Sequence, residues 1–169
     1  MPTKNTLTHR YLKIALTLTV ALMAIFYVAH NLANWAAANG AVGYVLSLAD
    51  HTAYPNSLVP PVHDPAMVMV AVGIICLSEI SAGVVSLIGA FGLWRARKGD
   101  AAAFSAAKRL ACLGAGLAAL VWFFLFEVIG GALFQMWQTD VGGASHREAM
   151  SLAMLALLTL IYLSQPEPE

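Results

Sequence analysis

The chain has 169 residues, 60% of them hydrophobic and 11% charged, and its mean hydropathy of +0.74 is far above that of a water-soluble domain. This is the composition of an integral membrane protein. Nine Lys and Arg balance nine Asp and Glu, so the overall charge indicates neither nucleic acid nor a strongly charged soluble partner.

The first apolar run, about residues 12–35, is long enough to cross roughly 30 Å of hydrocarbon as a helix. Lys4, Arg10 and Lys13 before it, and Ala36-Ala37-Ala38 after it, also fit a cleaved secretory signal. The length of the run and the polar pair His30 and Asn31 near its end favour a retained span. Within it Tyr27, His30, Asn31 and Asn34 share one helix face at i, i+3, i+4 and i+7. Tyr27 lies about 22 Å along the helix from Leu12, which places this polar face in the outer third of the membrane.

The loop at 36–65 contains Val42, Tyr44, Val45, Leu46 and Leu48, an apolar stretch predicted to lie as a short helix on the outer surface before Asp50. Turns follow at Tyr54-Pro55-Asn56 and Pro60-Pro61. His51, His63, Asp50 and Asp64 fall in or beside this loop, but their spacing matches no standard metal pattern. No metal ligand is assigned and no cofactor is predicted, while haem, quinone or metal binding is not excluded.

A second span at 66–93 carries Glu79 near its midpoint. An ionised carboxylate at mid-membrane costs at least about 2.5–3.5 kcal/mol on insertion scales, so Glu79 must be neutral, paired or solvated by a cavity. Its helix face reads Cys76, Glu79, Gly83, Ser86 and Ala90. These residues are small enough to press against a neighbour, which predicts that Glu79 points into a bundle. Cys76 and Cys112 lie in separate apolar runs and suggest neither a disulfide framework nor a thiolate cluster.

The third span, 110–129, is preceded by a basic connection whose 101–107 stretch is expected to begin the helix early. Glu127 sits about 26 Å from Leu110, a depth matching that of the polar face of the first span. Together these groups form a candidate outer cluster, open to a quinone-headgroup or ligand pocket, a proton relay, or simple hydrogen bonding between helices. Gly130-Gly131 are expected to let the chain leave the helix, so that 130–140 folds back as a lid onto the outer ends of the first and third spans, with Phe134 and Trp137 in the interface and Gln138 reaching headgroups. A fourth span at 149–163 completes an all-α bundle of four transmembrane helices. The tail at 164–169 is too polar and too short to fold by itself.

Eight of the nine basic residues fall at the N-terminus, up to the start of the first span, or between the second and third, against Arg147 alone elsewhere. The positive-inside rule then puts both termini in the cytoplasm. No nucleophile-plus-base arrangement is visible.

Taken together, several strings resemble the predicted small integral membrane proteins of bacteria in domain-of-unknown-function family 2165. They are Arg10-Tyr11-Leu12-Lys13, Asn31, Val45-Leu46-Ser47-Leu48 with Asp50, Glu79, Ala107-Lys108-Arg109-Leu110-Ala111, and Gly130-Gly131 followed by Phe134 and Met136-Trp137-Gln138. The chain departs from that pattern at Ala132, where the family carries an acid directly after the paired glycines, and it carries Glu127 nearby. An extra residue also separates Leu48 from Asp50. The resemblance implies a four-span inner-membrane protein and brings no established activity. The expectation is a non-catalytic accessory or stabilising subunit with a membrane-protein partner or a second copy of itself. A proton-coupled transporter using Glu79, or a redox module binding a cofactor or quinone at the outer face, are the alternatives.

Overall fold

The computed structural model describes residues 2–167. Its helices are α1 (Lys4–Ala33), α2 (Trp35–Leu46), α3 (Pro65–Ala96), α4 (Ala101–Leu120) and α5 (Asp140–Ser164). A π-helical segment, Val121–Leu133, continues α4, and a short 3-10 turn, Met136–Gln138, precedes α5. Four of these units are long and apolar enough to cross a membrane: α1, α3, α4 with its π-helical continuation, and α5. Each span can satisfy its own backbone, as hydrocarbon demands.

Side chains start the helices where the sequence offers them. Asp64 accepts from the Ala66 N–H at 2.9 Å with Pro65 at the first helical position, and Asp100 and Thr139 cap α4 and α5 in the same way. Such caps engage N–H groups that a helix start leaves without intrahelical partners.

Helix α3 lies between α1 and α4. The five residues Cys76, Glu79, Gly83, Ser86 and Ala90 are all buried, because absent or small side chains let neighbouring backbones approach. A Cβ on Gly83 would meet Ile25 at 2.8 Å, and one on Gly89 would meet the Ala111 backbone at 2.5 Å. Larger residues on the opposite side of α3, including Val70, Ile74, Leu77 and Phe91, stay exposed, as suits contact with lipid. A separate cluster of Val20, Ala24, Ala82, Ala118, Trp122, Ala149 and Ala153 holds all four spanning units together.

The first-loop helix starts earlier than expected. Asn34 breaks the first helix at φ −117°, ψ 42°, its side-chain amide donates to the His30 carbonyl at 3.0 Å, and α2 resumes at once. Ala38 and Val42 pack against the Val72 and Cys76 cluster, and Gly43 faces Val68. Thus α2 runs antiparallel to the first turns of α3, because that apolar surface is available to it.

The third helix is also longer than its apolar core, and the paired glycines do not end it. Helical structure continues through Gly131, with wider i→i+5 bonds such as Phe134 N–H to the Ile129 carbonyl at 2.9 Å. The glycines serve close contact here: a Cβ on Gly131 would meet His146 Nε2 at 2.5 Å. The reversal comes at Gln135, which takes φ 51°. Most of the connection expected at 130–148 is therefore helix, and α5 begins at Asp140.

Substituting Gly89→Leu should force α3 and α4 apart and cost at least about 1–3 kcal/mol, the usual range for overpacking. Gly92→Ala is the matched control, since its Cβ would meet only the Ala107 carbonyl, at 3.9 Å. Thermal unfolding in detergent should show a large loss for the first variant and little change for the second.

Candidate functional site

The polar groups on the spans form pairs rather than one cluster. Glu79 is 1% exposed, and its Oε2 accepts from Asn31 Nδ2 at 3.0 Å. Antiparallel α1 and α3 bring the two to one level, near the middle of α3. Asn31 is deeper than the span boundary near residue 35 suggested, because α2 carries the chain 12 residues further along α3. Among the described residues, no Lys, Arg or His forms an ion pair with Glu79.

Glu127 is not part of that contact. Its Oε2 lies 2.9 Å from His146 Nε2, which α5 presents against Gly131, while its Oε1 is buried without a hydrogen-bond partner. Tyr27 donates to Glu148 on α5 and meets the buried Trp122 edge-on, with ring centroids 5.9 Å apart. His30 and Asn34 point outward and are exposed. The single outer cluster expected from depth thus resolves into separate contacts: α1 to α3, α1 to α5, and the π-helical segment to α5. Position along each helix could be counted, but the depth of Asn31 depended on α2 extending the first helix, and rotation about each axis depended on which neighbour each face met.

The 130–140 segment does fold back, but onto α5 and the first loop. Besides Gly130 and Gly131, its buried residue is Met136 rather than Phe134 or Trp137. Gln138 accepts from the Tyr54 N–H at 2.8 Å and donates to Gln135 Oε1 at 2.8 Å, and Trp137 meets the Tyr54 ring edge-on at 5.5 Å. Asp50, at φ 58°, accepts from the Tyr44 hydroxyl at 2.8 Å, and this bond pushes the Tyr44 phenol above its ordinary value. Among the described residues no three His, Cys, Asp or Glu side chains converge. Beneath this end lies a cavity of about 220 Å³, lined mainly by apolar groups of α2, α3, the π-helical segment and α5, including Val42, Ile75, Phe126 and Met136.

The opposite end contains a site that the sequence did not reveal. Arg10, Lys13 and Lys108 are 1%, 3% and 6% exposed. They converge on Glu167, whose side chain is 2% exposed. Lys13 Nζ pairs with its Oε1, Lys108 Nζ lies 3.1 Å from the same oxygen, and Arg10 Nε lies 3.7 Å from Oε2. Arg10 also donates to the carbonyls of Arg97 and Gly99 at 3.0 and 2.7 Å, and stacks over Phe104 at 4.6 Å. The tail is therefore ordered through Glu167, because a short polar segment can dock when one carboxylate finds buried cations. Pro168 and Glu169 lie outside the described residues. Composition marks these three bases as interface charges, and only the tertiary fold brings them to one point.

The family model described as a predicted small integral membrane protein (DUF2165) matches residues 9–166, and the chain belongs to this family. No curated protein and no solved structure matches it.

Replacing Glu79 by Gln keeps an acceptor for Asn31 and should preserve stability. Glu79→Leu strands the half-buried Asn31 amide and should cost about 1 kcal/mol, the low end of the range for an unmade hydrogen bond, measured by thermal unfolding in detergent. At the other end, burial alone would raise the Glu167 carboxyl, but hydrogen bonds from Lys13 and Lys108 outweigh it and hold the group below the usual carboxylate range. Its contribution to stability is then complete above the unfolded value of about 4.3 and is lost as pH falls through the lower folded value. The stability gap between the native chain and Glu167→Gln should close over that acidic window.

Proposed function

Given this family membership, we propose that the protein is a non-catalytic small membrane protein that acts by association, as an accessory or stabilising subunit of a larger assembly in a bacterial inner membrane. The observation that carries this reading is the engagement of its intramembrane polar groups. Glu79 binds Asn31, Glu127 meets His146 and Tyr27 binds Glu148, so each joins one helix to another. A carrier using Glu79 needs a wet path to it, and the 220 Å³ cavity is lined by neither Glu79 nor Asn31. What the bundle offers outward is apolar helix surface and short loops, which suit lipid and another membrane protein. Its basic end faces the cytoplasm on this reading, since eight of nine Lys and Arg lie before the apolar core of α1 or between the apolar cores of α3 and α4.

Gentle solubilisation of native membranes followed by native mass spectrometry tests the role. A stoichiometric protein partner, or a defined homo-oligomer, is the expected result. A monomer carrying haem, metal or quinone would replace this reading with a redox module, and loss of a proton-coupled flux in Glu79→Gln with the fold intact would replace it with a carrier. For orientation, a single cysteine at Asn56 should be labelled by an impermeant maleimide from outside, and one at Gly99 only after permeabilisation. The reverse pattern contradicts the assignment.

A further inference from the structure

Among the described residues, the basic end holds more positive charge than its occupant neutralises. Arg10, Lys13 and Lys108 are all more than nine-tenths buried, and the one described carboxylate that faces them is Glu167. The Asp100 carboxylate caps α4 through the Ala103 N–H at 2.7 Å, and only its backbone carbonyl receives Arg10, at 3.3 Å. Burying cations without equal countercharge is costly, yet three come to one point.

The fit of the carboxylate is also incomplete. Arg10 Nε and Glu167 Oε2 are both buried without a hydrogen-bond partner, although they lie 3.7 Å apart. A planar carboxylate has two oxygens to offer to three converging cations. A terminal phosphate group has three unesterified oxygens and up to two charges, and arginine and lysine are the side chains best suited to receive it.

The occupant is held by few ties. Beyond the Glu167 carboxylate, the described bonds from these bases to this segment are from Lys108 and Lys13 to the Gln165 carbonyl, at 2.7 and 3.5 Å. Gln165 and Pro166 are themselves exposed. The pocket lies at the level of the half-exposed Tyr11–Trp94 pair, whose rings meet at 5.9 Å, with Arg97 over Trp94 at 4.0 Å. Aromatic and basic groups of this kind mark the headgroup layer of a bilayer.

We propose that the Arg10, Lys13 and Lys108 pocket is a binding site for a phosphate-bearing anion, which competes with the Glu167 carboxylate for it. Binding such a group releases the segment after α5 from the bundle. The phosphate is supplied by an anionic lipid headgroup or by a soluble phosphate, and the two are separable by experiment.

The chain in a neutral detergent is titrated calorimetrically with short-chain phosphatidic acid and, separately, with inorganic phosphate. Glu167→Gln should bind at least one probe about tenfold more tightly than the native chain, and adding Lys13→Gln or Lys108→Gln should remove the gain. A gain confined to phosphatidic acid identifies a lipid site, and an equal gain for inorganic phosphate identifies a soluble ligand. No gain with either probe, or a gain that survives loss of the lysines, overturns the proposal. Should Glu167→Gln not fold, a spin label at Pro166 in the otherwise native chain serves instead. Its spectrum should become mobile as the probe is added, and a label still immobile at saturating concentrations of both probes overturns the proposal equally.

Discussion

The bundle depends on how closely other helices can approach α3. In hydrocarbon no hydrophobic force drives helices together, so association relies on tight contact and on polar groups that find one another. Gly83 and Gly89 provide that contact on two sides, toward α1 and toward α4. Once the backbones are this close, the short Asn31 side chain can reach Glu79 across the interface. The hydrogen bond follows from the small residues and would be lost if bulk were added beside it.

The same logic separates the two ends. At one end, the π-helical segment, the reversal at Gln135 and the start of α5 close over an apolar cavity, with Glu127 and His146 joining two of its walls. At the other, cations from α1 and α4 converge below the end of α5 and are met by the Glu167 carboxylate. The middle is a contact, one end is closed by backbone and aromatic groups, and the other is closed by charge.

Much of this was legible in the sequence, and what was missed has a common cause. Four spans, the early start of the third helix and the inward direction of Glu79 follow from apolar run length and from the small residues one and two turns away. The partner of Glu79 was not legible, because α2 extends the first helix and sets Asn31 deeper than its count from Leu12, and the rotation that brings Asn31 rather than Glu127 to Glu79 is set by tertiary contact. The glycine pair at 130–131 signalled a break, since glycine permits one, yet Met136 and His146 occupy the space a side chain would need. Glu167 was hidden for a further reason. Its segment is polar and short, and the groups that receive its carboxylate and the Gln165 carbonyl are cations more than 50 residues away in sequence.

The central claim is that the intramembrane acid works as a contact between helices. A double-mutant cycle on Asn31→Ala and Glu79→Ala, read by reversible unfolding in detergent or bicelles, tests it most directly. Hydrogen bonds between membrane helices couple by about 0.6 kcal/mol on average and up to about 1.7, and a wholly buried carboxylate with one amide partner is predicted to fall in the upper part of that range. Additive losses, within about 0.3–0.5 kcal/mol, would show that Asn31 does not hold Glu79 and would contradict the account.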